Sequence, residues 1–313
     1  MQPKPDPEQK PRSLLANIFL SPDERRLRAG WRLSAQMIIL WMLSAIFVII
    51  LGFLLVYAGG GISSASDFLV FQLASALAIT LSVYIARVFL DNRTFASLGL
   101  LVNRRMWVDL ATGIGIGFSM FLVVFLLLYF SGWVRIDGFA WQTQSAGALL
   151  GTLFSYLFIY FVVGWQEELL FRGYWLQNLA DGTNLRWGIL LSSVIFSLFH
   201  LANPGMSWIS TLGLFLAGLF LAYGYVATRS LWLPIGLHIG WNFFEGPIFG
   251  FKVSGLSGPV LIEHTVLGPD LVTGGIFGPE AGLVLVPALL VGTLLIYLIY
   301  QRHTSIQVST EDL

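Results

Sequence analysis

The chain has 313 residues, 56% of them hydrophobic and 11% charged, with a mean hydropathy of +0.78 and a formal net charge of zero. A soluble domain carries about 25% charged residues, so this composition excludes one that covers its surface with polar groups; the main solvent must be lipid. The balanced charge offers no field for nucleic acid, and the absence of cysteine excludes disulfides, thiolate metal sites and a cysteine nucleophile.

Residues 1–33 are polar, contain Pro3, Pro5, Pro7 and Pro11 and both charge signs, and lack the basic-then-apolar order of a secretory signal. They read as a cytosolic tail with a short amphipathic piece from Leu14 to Leu20. A bilayer core about 30 Å thick takes roughly 20 apolar residues as helix. Such runs lie near 35–57, 68–90, 109–131, 146–166, 187–202, 209–228, 231–250 and 281–300, which predicts an all-α polytopic bundle of about eight spans. The chain divides into the tail (1–33), N-terminal spans (34–144), a membrane core marked by polar residues (145–250), a Gly/Pro-rich outer loop (251–280), and a last span with a short polar tail (281–313). The stretch from Gly246 to Glu280 reads as partly re-entrant, with no helix assigned. Small-residue pairs at four-residue spacing, Gly113/Gly117 and Gly236/Gly240, permit close helix approach.

Orientation follows from the basic residues. With the N-terminus inside, inner segments hold Lys4, Lys10, Arg12, Arg25, Arg26, Arg28, Arg32, Arg87, Arg93, Arg104, Arg105, Arg172, Arg186, Arg229 and Arg302, while outer segments hold only Arg135 and Lys252. Fifteen against two predicts cytosolic termini and a multi-pass protein of the cell (inner or plasma) membrane.

A charged side chain at membrane depth costs at least about 2.5–3.5 kcal/mol and marks function by default. Glu167, Glu168 and Arg172, then His200, then His238, Asn242 and Glu245 form such a set. Glu168 and Arg172 stand in the favourable order for an i,i+4 ion pair and read as scaffolding. Glu167, about 100° around the helix, has no partner in that register and reads as the free carboxylate. Glu167 precedes Thr183 by 16 residues and His200 follows Asn184 by 16. In a helical hairpin turning there, the two side chains share a depth roughly 20 Å from the turn. Phe196 lies one turn from His200 on the same face. His238, Asn242 and Glu245 form one stripe on the seventh span. Phe196 and Glu245 are candidates for support behind the cluster.

A carboxylate, two imidazoles and a carboxamide suit general-base activation of water with oxyanion stabilisation. They equally suit a zinc site of Glu167, His200 and His238 with one open position, although the spacing is not that of H-E-x-x-H. Glu/His chains also relay protons in transporters, but a transporter is expected to show repeated halves with broken helices in both, and the polar cluster occurs only in the second half.

Glu167-Glu168-x-x-x-Arg172, Phe196-x-x-x-His200 and His238-x-x-x-Asn242, in that order on successive helices, resemble the three motifs of the CPBP (Abi) family, the type II CAAX prenyl endopeptidases and bacteriocin-processing enzymes. The resemblance covers residues 145–245, and the segment Gly274 to Gly282 is also similar to bacterial members. It implies an intramembrane endopeptidase open to the cytosol, acting on a peptide or protein substrate held at the lipid bilayer, near a prenylated C-terminus or within a membrane-associated peptide. Glu167 would be the general base with His200 assisting, His238 and Asn242 would polarise the scissile carbonyl, and Glu168–Arg172 would hold the fold. The family carries a metalloprotease label, and the glutamate–histidine arrangement also supports the metal-independent mechanism preferred here. A non-proteolytic peptide-binding or bacteriocin-immunity role is the second reading, and a proton-coupled transporter the third.

Overall fold

The computed structural model describes residues 13–21, 26–57 and 64–311, with backbone alone at 16–17, 64–68 and 301–311. Lys4, Lys10, Arg12 and Arg25, and the side chain of Arg302, all part of the charge count, lie outside the described residues.

The helices in chain order are α1 (Leu14–Phe19), α2 (Ala29–Tyr57), α3 (Ser64–Ile85), α4 (Arg104–Phe130), α5 (Ala146–Glu168), α6 (Leu176–Gly182), α7 (Leu185–Leu198), α8 (Trp208–Thr228), α9 (Trp232–Phe243), α10 (Asp270–Thr273) and α11 (Leu285–Glu311). Side-chain caps set several starts: Asn103 accepts from Met106 N, Ser145 from Ala148 N, Asn184 from Trp187 N and Ser207 from Ser210 N, each satisfying a donor that the first helical turn leaves open. Five helical stretches are long and apolar enough to cross a membrane: 29–57, 69–90, 104–130, 146–182 and 208–228. The remaining apolar helices are short. α7 has 14 residues and α9 has 12; α9 is an interior element of the bundle, whereas α7 buries Ser192, Ser193 and Phe196 and leaves Leu190, Val194 and Leu198 exposed. The chain is an all-α polytopic membrane protein.

Helix α2 turns Trp41, Ile49 and Phe53 outward, as a lipid-facing helix should, whereas α9 is buried at nearly every position. The two small-residue pairs pack on each other. A Cβ on Gly113 would lie 2.6 Å from Leu237 N, one on Gly117 2.6 Å from Trp241 N, and one on Gly240 2.7 Å from the Ile114 carbonyl. Backbone contact of this kind replaces the hydrophobic driving force that helices lack in lipid, and it fixes α9 at the centre of the bundle.

Several of the basic residues counted for orientation are buried partners. Arg32 Nη1 and Arg87 Nη1 reach the two oxygens of Asp91 at 2.8 and 3.0 Å, and Asn178 Nδ2 donates to Asp91 at 3.2 Å. Asp181 takes Arg26 and Arg93 at 3.2 and 3.3 Å. This network ties α2, the end of α3 and α6 together.

The stretch 246–280, expected to carry no helix, is more structured than its Gly/Pro content implied. It continues α9 as a π-turn (Phe244–Ile248), then forms strand β2 (Ile262–Val266), α10 and a 3₁₀ turn (Pro279–Ala281). β2 pairs antiparallel with β1 (Val134–Phe139), in the α4–α5 connection, from Val134↔Val266 to Phe139↔Ile262, with a bulge between Ile136 and Gly138. The pairing spans more than a hundred residues, so no local hairpin signal announces it. It also requires the α4–α5 and α9–α11 connections to lie on one side of the bundle.

Candidate active site

Helix α5 does not stop at its carboxylates. It passes through a π-helical segment, Leu169–Trp175, into α6, making one continuous rod to Gly182. Such wide turns recur at functional sites because they re-aim side chains. Arg172 Nη1 meets Glu168 Oε1 at 2.9 Å, Arg172 Nη2 donates to the Gly218 carbonyl of α8 at 3.1 Å, and both residues are wholly buried. The guanidinium also sits 4.3 Å from the centre of the Phe196 ring.

The same Glu168 oxygen lies 2.9 Å from His238 Nδ1. A carboxylate held by Arg172 can only accept, so Nδ1 of His238 carries the proton and Nε2 points into the site. His200, just past the end of α7, has Nδ1 2.9 Å from the Phe196 carbonyl, which again fixes the proton on Nδ1. Phe196 packs edge-on against His238 and lies against the His200 ring. Both Nε2 atoms face Glu167 Oε2, at 3.9 Å from His200 and 3.7 Å from His238. These separations are too long for direct hydrogen bonds, and Oε2 is a buried oxygen with no hydrogen-bond partner among the described residues.

Asn242, one turn beyond His238, is buried and lines the same cavity. Glu245 is fully buried behind it, with neither oxygen hydrogen-bonded among the described residues, and is not among the lining residues. The cavity measures about 770 Å³ and its walls are mainly apolar, from Leu40, Phe71, Ile159, Leu221 and their neighbours. Glu167, His200, His238 and Asn242 share this chamber, which Gln72, Gln166 and Asn203 also line, and water is the natural second reactant for such a set.

As a zinc site the cluster fits in donor type only. Zinc–nitrogen and zinc–oxygen bonds of 2.0–2.1 Å place tetrahedral ligand atoms about 3.3 Å apart, shorter than both separations at Glu167. Among the described residues no three His, Asp or Glu side chains converge to hold a metal ion.

Two features escaped the sequence. Glu168 faces an imidazole as well as Arg172, a contact across 70 positions that helical spacing cannot reveal. Glu280 also lines the cavity: Ser254 N and Oγ donate to its Oε2 at 2.8 and 2.6 Å, and Trp241 Nε1 to its Oε1 at 3.2 Å. Its one sequence signal was an acid among the glycines and apolar residues of Gly274 to Gly282.

No curated protein matches the chain. Residues 149–244 match the family model described as type II CAAX prenyl endopeptidase Rce1-like, a segment that holds all three motifs. Through that segment, just under a third of the chain, the protein is similar to the Rce1-like CAAX prenyl endopeptidases.

Proposed function

We propose that the chain is a metal-independent endopeptidase that hydrolyses a peptide bond within the membrane, near the prenylated C-terminus of a protein substrate. One observation carries the mechanism: a buried Glu167 oxygen with no hydrogen-bond partner among the described residues faces two imidazole nitrogens at 3.7 and 3.9 Å. Groups at this spacing share one water readily, each within ordinary hydrogen-bond length of it.

Glu167 takes a proton from that water as its oxygen attacks the scissile carbonyl carbon, with His200 Nε2 orienting the nucleophile. His238, flanked by the carboxylates of Glu167 and Glu168, can carry a second proton on Nε2. That N–H and the Asn242 amide stabilise the oxyanion of the tetrahedral intermediate. Glu167 then passes its proton to the amide nitrogen as the C–N bond breaks, releasing a carboxylic acid and an amine, which settle as carboxylate and ammonium by proton exchange. The apolar chamber excludes bulk water and holds the lipidated end of the substrate. The basic inner segments favour a cytosolic opening and a cell-membrane location.

The experiment is cleavage of a quenched fluorogenic peptide ending in a farnesylated CAAX sequence by the purified chain. Glu167→Gln keeps size and polarity but removes the base, and should lower the rate about 10²–10⁴-fold at normal membrane abundance. Near wild-type cleavage by that variant would refute the assignment. Peptide binding without turnover by the wild type would point to the binding-only role.

A further inference from the structure

We infer that Glu280 is a positioning residue for the reaction proposed above, an inference that rests on that protease reading: it sets the spacing of the elements that carry the two imidazoles. Its carboxylate is the junction of a hydrogen-bonded chain around one wall of the cavity. On one side, Trp241 Nε1 donates to Oε1 at 3.2 Å; Trp241 lies on α9, three residues beyond His238 and next to Asn242. On the other side, Ser254 gives its N–H and its hydroxyl to Oε2 at 2.8 and 2.6 Å. Ser254 in turn accepts, at its carbonyl, from Asn203 Nδ2 at 3.0 Å, and the Asn203 N–H donates to the His200 carbonyl at 2.9 Å. A continuous path thus runs from His200 through Asn203, Ser254, Glu280 and Trp241 to the helix of His238.

The backbone around Glu280 is built to hold still. A Cβ on Gly213 of α8 would strike the Glu280 carbonyl oxygen, and one on Gly255 would strike the Pro204 carbonyl beyond Asn203. Ser254 itself sits at φ 48°, a left-handed conformation that a side chain with a Cβ disfavours and that persists where surrounding bonds over-determine it. Both of its donors converge on one Glu280 oxygen. Glu280 is 5% exposed, so its bonds face little competition from solvent. His200 sits on a turn past the end of α7, and this junction is a hydrogen-bonded link from that turn to α9. Glu167 must serve both imidazoles at once, so their separation matters.

The test uses the full chain in detergent and the farnesylated fluorogenic peptide, with melting temperature measured beside kcat and KM. Glu280→Gln can still accept from Ser254, but its amide NH₂ meets the Trp241 N–H donor to donor. The expected result is a fall in kcat of about 10–10²-fold, the scale of a small misplacement of catalytic groups, with KM and melting temperature nearly unchanged. Adding Trp241→Phe should recover part of that loss, because the opposed N–H is gone. Ser254→Ala should lower kcat in the same direction. If Glu280→Gln and Ser254→Ala both turn over at the wild-type kcat while Glu167→Gln is dead, the positioning role is wrong and the protease reading stands. If Glu280→Gln lowers only the melting temperature and the folded fraction, Glu280 is a packing residue and the inference fails. Wild-type turnover by Glu167→Gln would instead overturn the protease reading, and this inference with it.

Discussion

Glu168 Oε1 is shared between Arg172 and His238, at 2.9 Å from each. One oxygen therefore joins the ion pair that braces α5 to the imidazole that faces the cavity. On spacing alone, Glu168→Gln would be a folding mutant with residual activity per folded molecule. The shared oxygen changes that expectation. Glu168→Gln leaves Arg172 buried with a neutral partner, and breaking one side of a buried pair costs roughly 3–5 kcal/mol. It also replaces the carboxylate facing His238 Nδ1 with a neutral amide oxygen, a weaker acceptor. Melting temperature and activity per folded molecule should both fall. A destabilised variant with full specific activity would show that the His238 contact is incidental.

Chelation separates the two water-activating chemistries. The separations at Glu167 are longer than a tetrahedral zinc site allows, so a chelator should leave the purified protein's cleavage rate unchanged and elemental analysis should find substoichiometric metal. Stoichiometric zinc, lost on His200→Ala and required to restore activity after chelation, would reverse the mechanism proposed here.

How much of this was legible before the structure depends on the range of each interaction. The ion pair Glu168–Arg172 is an i,i+4 contact, and the meeting of Glu167 with His200 follows from counting away from a turn; both belong to helical geometry. The bundle itself follows from apolar runs matched to bilayer thickness. What escaped is long-range and lies in connecting segments: β1 with β2, Ser254 with Glu280, Glu168 with His238. Periodicity carries no information on which distant loops meet. The charge count had a different blind spot. Arg32 and Arg87 counted as basic residues of the inner segments, and both are buried on Asp91, where they serve packing as much as orientation.

The crossing of α4 and α9 gives a stability prediction with an internal control. A Cβ at Gly236 would collide with the Leu110 carbonyl, and the partner is backbone, so neither side can yield by a rotamer change. Gly236→Ala should lower stability by about 1–3 kcal/mol, the usual cost of overpacking, and reduce membrane abundance. Gly115, on α4 but off the contact face, has open space around its Cβ position. Gly115→Ala should be neutral or stabilising. Equal effects at the two sites, read from thermal melts, would argue against the close crossing.

Acid should loosen the β1–β2 pair. Burial holds His264 below its ordinary value of 6.5, so the folded pair favours the neutral ring and the opened strand binds the extra proton. Stability conferred by this group is complete above pH 6.5 and declines as the pH falls below it. The Thr265 hydroxyl, followed by the Arg135 guanidinium, holds the Asp137 carboxyl below its ordinary value of 3.8, adding a second loss in the same direction at lower pH. The protection of amides in 134–139 and 262–266, taken relative to the intrinsic exchange rate at each pH, should therefore fall on acidification from pH 7 to 5, and His264→Gln should flatten that response. A pH-independent protection factor in the wild type would contradict it.

Topology can be tested against two independent arguments. The charge bias places the segments around 140 and 265 outside and those around 98, 183 and 229 inside. Strand pairing makes a separate demand: because β1 and β2 share a ladder, whatever side holds 140 must hold 265. An even number of crossings must then separate them, and the four helical rods between, 146–182, 185–198, 208–228 and 232–248, meet that condition even though two are short. The short helices are the weak point of a hydropathy argument, since α7 with 14 residues reaches only about 21 Å at 1.5 Å per residue. It need not meet lipid over the full thickness, because its neighbours α6 and α8 flank it and its Ser192, Ser193 and Ser197 are buried against protein. Reporter fusions after 140 and 265 should give the same sign, and fusions after 183 and 229 the opposite one. If 140 and 265 disagree, the strand pair cannot form in the membrane. If 183 agrees with 140, the rod carrying Glu167 does not cross, and the cluster with His200 and His238 cannot be assembled at membrane depth.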